Sequence, residues 1–157
     1  MFKVHLLRQV LFFRRIIMYL LKTSASFDSA HFLSGYNGKC ANIHGHHWSA
    51  EISFAGEKLY PEGEKRDMLI DFGDIKKAVR ELAGSLDHSL IYEENTLQDA
   101  TVKALEAENF RLIAVPFRPT AENFAEFFFR SLKNQGLPVK SAAVYETPDN
   151  CAVYEES

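Results

Sequence analysis

Between His44 and Phe54 the chain alternates without a break: Trp48, Ala50, Ile52 and Phe54 fall on one parity, and Ser49, Glu51 and Ser53 fall on the other. Successive side chains of a strand point to opposite faces, so this stretch predicts a strand with one buried and one polar face. His44 and His46 extend the apolar parity, whereas His47 takes the opposite one. From Tyr19 to His31 there is no helix-period stripe, and the segment reads as a second strand on which His31 shares parity with Phe27, Ala25 and Leu21. Gly35, Asn37 and Gly38 turn the chain between them. If the two strands pair through that loop, three imidazoles converge on the covered side of one sheet. A lone histidine is most simply an ordinary hydrogen-bonded side chain. His-x-His with a third histidine of matched parity instead describes a catalytic zinc site with an open fourth position.

The rest of the chain supplies the cover. Gly56, Pro61 and Gly63 mark a turn before a short predicted strand, Met68 to Ile70. Asp71 is placed to cap a helix whose Ile75, Ala78, Val79, Leu82, Ala83 and Leu86 recur at helical spacing. Leu97, Ala100, Thr101, Ala104 and Leu105 predict a further short helix, and Phe110 to Val115 a strand. Thr120 caps a helix running to about Gln135, with Gly136 as its stop. That helix carries Phe124, Phe127, Phe128 and Phe129, a stripe wider than one core face needs, so part of it is expected against another subunit. Strands from Val139 to Glu146 and from Cys151 to Tyr154 close the chain around a Pro148-Asp149-Asn150 turn. Hairpin strands separated by helices that cover one face indicate an α+β domain with an antiparallel sheet.

With 157 residues, 46% of them hydrophobic, the chain has the size of one domain with a real core. A net charge of -3 argues against nucleic acid as partner, so any phosphate must meet a local group of cations. Cys40 and Cys151 read as reduced thiols in a cytoplasmic protein. Residues 1–17 stand apart, with Lys3, Arg8, Arg14 and Arg15 spread through an apolar run. That is too charged for a spanning helix and lacks a signal-peptide cleavage pattern, so no membrane is expected as partner. A basic surface helix is one reading. The simpler one is an extension outside the core, with Met18 as the natural start and a single domain over residues 18–157.

Other groups bear on chemistry. Cys40 lies four residues before His44. Beside zinc or a protonated imidazole its thiol becomes a usable base or nucleophile; the other readings are a fourth zinc ligand or an unreactive thiol. Asp87-His88 follows the first long helix, where a carboxylate can orient an imidazole for acid–base work, or where the helix end simply favours a histidine. Glu146 shares parity with Ala142 and Val144, so an ionisable group ends an apolar face. It needs a partner, for which the paired N–H donors of a pterin or guanine edge serve, or else a salt bridge or solvent.

FDSAHFLSGYNGKCANIHGHHW, MLIDFGDIKKAV, LDHSL, PTAENFAEFFF and YETPDNCAVY occur in that order over nearly all of residues 19–155. Together they resemble the 6-pyruvoyltetrahydropterin synthase family, and most closely its 6-carboxytetrahydropterin synthase branch, which shares the C-x-x-x-H-G-H spacing. The resemblance implies a T-fold, a four-stranded antiparallel sheet with two main helices on one face. It implies barrel-like trimers paired into homohexamers. It implies Zn2+ on His31, His44 and His46, Cys40 as base, and Asp87 and His88 as proton relay. Glu146 would anchor the pterin, with Thr120 and Glu122 as further pocket residues; Lys39 and Arg118 are candidates for the triphosphate.

The implied reaction converts 7,8-dihydroneopterin triphosphate to 6-carboxytetrahydropterin, releasing triphosphate and acetaldehyde, on the route to queuosine. The pyruvoyl product and a non-catalytic pterin- or metal-binding protein are the alternatives; the base and relay residues count against the latter. The chain departs from the family at Ile91-Tyr92, where an asparagine is usual, and in a longer segment from Glu93 to Pro119. A cupin motif is matched only in its first half, and the two long helices oppose it.

Overall fold

Strand β1 (Tyr19–His31) and strand β2 (His44–Gly56) pair antiparallel along their whole length, with His31 opposite His44 and Phe27 opposite Trp48. The computed structural model describes residues 18–156, so the extension read into residues 1–17 lies outside the described residues. A 3₁₀ turn, Lys39–Ala41, sits in the β1–β2 connection. Strands β5 (Val139–Thr147) and β6 (Asn150–Glu155) continue the antiparallel sheet beyond β2.

These are the expected four strands, but the sheet is larger. Strands β3 (Ser89–Glu93) and β4 (Leu112–Val115) add to the β1 side in parallel, giving six strands in the order β4-β3-β1-β2-β5-β6. The expectation of a purely antiparallel four-stranded sheet is corrected accordingly. Parallel neighbours require a crossover, and helices α1 (Phe72–Gly84) and α2 (Asp99–Ala107) lie in the connections leading to β3 and β4. With α3 (Ala121–Asn134) there are three helices. Since α2 buries no residue, the covering helices are still two, α1 and α3.

Met68 to Ile70 is not a strand. Its first residue is tied into the preceding loop instead of a ladder, Tyr60 N donating to Met68 O at 2.9 Å and Met68 N to Lys65 O at 3.0 Å. The helix signals act as read. Asp71 accepts from Gly73 N at 2.6 Å and Thr120 accepts from Asn123 N at 3.4 Å. Gly136, at φ +84°, follows α3 in the left-handed conformation that glycine adopts without steric cost.

The core forms where the odd parity of β1 and the even parity of β2 meet the helices. Phe27, Trp48, Ile52 and Phe54 pack with Ile75 and Val79 of α1 and with Phe124, Phe128, Phe129 and Leu132 of α3. Phe127 also rests on this core, half-buried. The phenylalanine stripe is therefore absorbed within the chain and is not evidence for a subunit contact. The opposite sheet face carries Lys22 and Glu51, 2.8 Å apart. Among the described residues no helix is long and apolar enough to cross a membrane.

Candidate active site

The sheet register brings His31, His44 and His46 together on the covered face. Ring centroids of His31 and His44 lie 4.5 Å apart, and His46 lies 5.2 Å from His31 and 5.0 Å from His44. Trp48, next on the same parity, lies 5.1 Å from the His31 ring and 5.3 Å from the His46 ring, closing the floor. Main-chain carbonyls orient two of the rings. His31 Nδ1 donates to Pro119 O at 2.7 Å, and His44 Nδ1 donates to Asn42 O at 2.8 Å. Each bond fixes the tautomer that leaves Nε2 as a lone pair.

All three Nε2 atoms are buried and have no hydrogen-bond partner among the described residues. Buried polar atoms in folded proteins nearly always have partners, so three orphans in one place mark a site built for something else. One ligand atom from each of His31, His44, His46 and Glu146 lies within 4.8 Å of the others, a spacing that fits one ion. Burial, foremost, pushes the imidazoles of His31 and His46 below their ordinary pKa, which keeps them neutral as a metal requires. Glu146 Oε1 lies 2.8 Å from His46 Nε2 and 3.8 Å from His31 Nε2, with neither contact making a hydrogen bond. Its charge opposes the fall at both histidines without reversing it. The donor set of three imidazole nitrogens, with a carboxylate at hand, suits zinc.

The other sequence-predicted residues distribute around this centre. Cys40 is half-buried in the 3₁₀ turn, its carbonyl accepting from Leu33 N at 2.8 Å. Lys39 is close enough for its charge to disfavour protonation of His46. Thr120 caps α3 immediately after the Pro119 carbonyl that holds His31, whereas Glu122 is exposed in the first turn of that helix. Arg118 donates to Ser34 O, and its Nε is buried without a partner among the described residues.

Asp87 and His88 belong to the opposite face. His88 Nδ1 donates to Asp87 Oδ2 at 2.7 Å, and the Asp87 carboxylate also accepts from Asp28 N at 2.7 Å. The Asp28 N–H, then the His88 imidazole, hold Asp87 below the usual carboxylate range; the Asp87 carboxylate in turn raises His88. His88 lines a cavity of about 670 Å³ with Asp28, His46, His47, Leu90 and Arg111, so His46 alone of the three clustered histidines borders it. His47 points there as its parity requires, donating from Nδ1 to Asp28 Oδ1 at 2.7 Å. Cys40 does not line this cavity, so one copy of the chain does not join Cys40 to His88 there. Sequence reasoning missed the orienting carbonyls of Asn42 and Pro119, which are main-chain atoms without a side-chain signature. It also missed the Asp28–His47 pair, which the register alone reveals.

A family model described as 6-pyruvoyl tetrahydropterin synthase matches residues 20–157. A protein named 6-carboxy-5,6,7,8-tetrahydropterin synthase from Haemophilus influenzae is 37% identical over 142 residues, covering 88% of this chain and 100% of the relative. Among solved structures, an uncharacterized protein from Wolinella succinogenes superposes with a TM-score of 0.71 at 16% identity, over 90% of this chain and 99% of the other. The 6-pyruvoyl tetrahydropterin synthase of Caenorhabditis elegans superposes with a TM-score of 0.63 at 23% identity, over 91% and 99%. These two likenesses bear on the fold.

Proposed function

The chain belongs to the 6-pyruvoyl tetrahydropterin synthase family, and on that premise we propose that it is a 6-carboxy-5,6,7,8-tetrahydropterin synthase. It converts 7,8-dihydroneopterin triphosphate and water to 6-carboxytetrahydropterin, triphosphate and acetaldehyde, as one domain over residues 18–157 in the cytoplasm. The observation that carries this reading is the group of three buried Nε2 atoms with no partner among the described residues, one of them on the His44 ring that the Asn42 carbonyl orients. The carboxy product is favoured by the C-x-x-x-H-G-H spacing and by the name of the relative from H. influenzae.

His31, His44 and His46 would hold zinc, which supplies Lewis-acid polarisation of side-chain oxygens of the substrate. Cys40 takes a proton from a substrate carbon, and the Asp87–His88 pair carries protons to and from the reacting chain. Glu146 accepts from the N–H edge of the pterin, with Thr120 and Glu122 completing the pocket and Lys39 and Arg118 meeting the triphosphate. His88 faces the uncovered side of the sheet while the histidine cluster faces the helices, so relay and metal reach one substrate when a second copy supplies the relay. A closed homo-oligomer, a hexamer built from two trimers, provides that arrangement. Incubation of the purified protein with dihydroneopterin triphosphate, followed by mass spectrometry, tests the reading. Carboxytetrahydropterin with acetaldehyde is expected; a pyruvoyl product or unchanged substrate overturns it.

A further inference from the structure

Between α1 and β3 the chain makes a turn, Ser85 to His88, with two demanding features. His88 adopts φ +50°, a left-handed conformation that costs a non-glycine residue energy and persists only where neighbours enforce it. Asp87 must also place one carboxylate oxygen on Asp28 N and the other on His88 Nδ1. Part of the enforcement comes from β1, where Asp28 O accepts from His88 N at 2.7 Å. Local bonds add to it, Leu86 N donating to Ala83 O at 3.0 Å and Ser89 Oγ to Leu86 O at 2.6 Å, and a distant side chain completes it. Arg111 donates from Nη1 to Asp87 O at 2.7 Å and from Nη2 to Ser85 O at 2.8 Å, gripping the turn at both ends with one planar fork. Arg111 is itself anchored, since its carbonyl accepts from Leu90 N of β3 at 2.9 Å just before β4 begins.

We propose that Arg111 is a positioning residue for the Asp87–His88 pair, and that holding this turn is what the α2–β4 segment contributes to the site. The inference rests on the relay role given to the pair above. A plainer role would be that a cation satisfies the carbonyls after α1 and does nothing more. The two roles differ at His88. The charged or titratable groups around its imidazole are Asp87 in the turn, Asp28 on β1 and Arg111 before β4, with His46 and His47 of β2 lining the same cavity. Arg111 disfavours the protonated imidazole by charge, so simple loss of that cation raises the His88 pKa. Loss of positioning separates His88 from Asp87, the largest cause of its elevation, and lowers it. The sign of the change separates the roles.

The experiment uses full-length Arg111→Ala and Arg111→Lys in histidine-labelled protein, with the His88 signal identified by its absence in His88→Gln. In Arg111→Ala the His88 midpoint should move down toward the ordinary imidazole value. Its kcat should fall at least about tenfold, the lower range for a displaced acid–base group, with KM held within about twofold. Added guanidinium should restore part of both, and lysine, with a point charge for a fork, should fall between. An upward or unmoved midpoint overturns the proposal. If the alanine variant fails to fold, the lysine variant decides on the same two readings. The titration needs no substrate. A downward shift in a protein that is inactive on the pterin triphosphate, or whose kcat is unchanged, would count against the function or relay proposed above and not against Arg111.

Discussion

His31 Nδ1 donates to the carbonyl oxygen of Pro119 at 2.7 Å, across 88 residues of sequence. This contact ties the tautomer of a buried imidazole to the entry of α3, whose first turn begins at Ala121. The chain prepares its candidate metal centre by docking a helix, and a main-chain acceptor makes that preparation independent of any one side chain.

Metal content should follow strand parity. Purified protein is expected to carry about one zinc per chain, bound by nitrogen ligands in tetrahedral geometry. His46→Ala should lose it, because Nε2 of His46 faces the cluster, and His47→Ala should keep it, because that ring is turned to Asp28. Equal loss in both variants, read by elemental analysis, would refute the assignment.

Cys40→Ala separates base from ligand. If Cys40 is the base, the variant keeps zinc and pterin binding while turnover falls by roughly two to four orders of magnitude. A folded variant that sheds its zinc would make Cys40 a ligand and the centre structural.

Glu146→Gln replaces one acceptor oxygen with a donor nitrogen. Against the N–H edge of a pterin it should weaken binding by about 2–5 kcal/mol in a dry site, measured calorimetrically, with metal content unchanged. Loss of metal instead would identify the carboxylate, 2.8 Å from His46 Nε2, as a fourth ligand.

The Asp87–His88 pair predicts a pH dependence. His88, raised chiefly by Asp87, contributes stability that is complete below the unfolded imidazole pKa and fades as pH rises through the folded one. Asp87, depressed chiefly by Asp28 N–H, contributes stability that is present above the unfolded carboxylate pKa and fades as pH falls through the folded one. The pair therefore contributes most in mildly acidic solution, between the two ordinary values. Both side chains are solvated, so the effect on melting is small and the titration itself is the better measurement. Asp87→Asn should bring the His88 midpoint down to the ordinary imidazole value or below; an unmoved midpoint would refute the pairing.

The sheet centre was legible because period-2 patterning specifies a face: once His31, His44 and His46 share parity with Phe27 and Trp48, pairing of β1 with β2 brings them together. Helix bounds were legible from Asp71, Thr120 and Gly136, whose local chemistry acts within a few residues. Strand β3 was not, because Ser89 to Glu93 is short and is made a strand by parallel partners on both sides. Met68 to Ile70 misled for the converse reason: Met68 is exposed, while Leu69 lies close against Gly56 and Ile70 rests on the core, neither of them in a strand. Arg111 could not be read at all, since its acceptors are carbonyl oxygens 24 and 26 residues away.

Trp48 is the only tryptophan in the chain, and it is fully buried beneath the His31 and His46 rings. The protein therefore carries an internal optical gauge of its candidate metal centre. Removing bound metal with a chelator at neutral pH should change the Trp48 emission, because the rings that touch the indole lose their common ligand, and adding zinc should restore it at about one equivalent per chain. An emission that ignores both steps would place the ion away from these rings. With no second indole to blur the signal, occupancy could be followed in real time without a label, a substrate or a measurement of turnover.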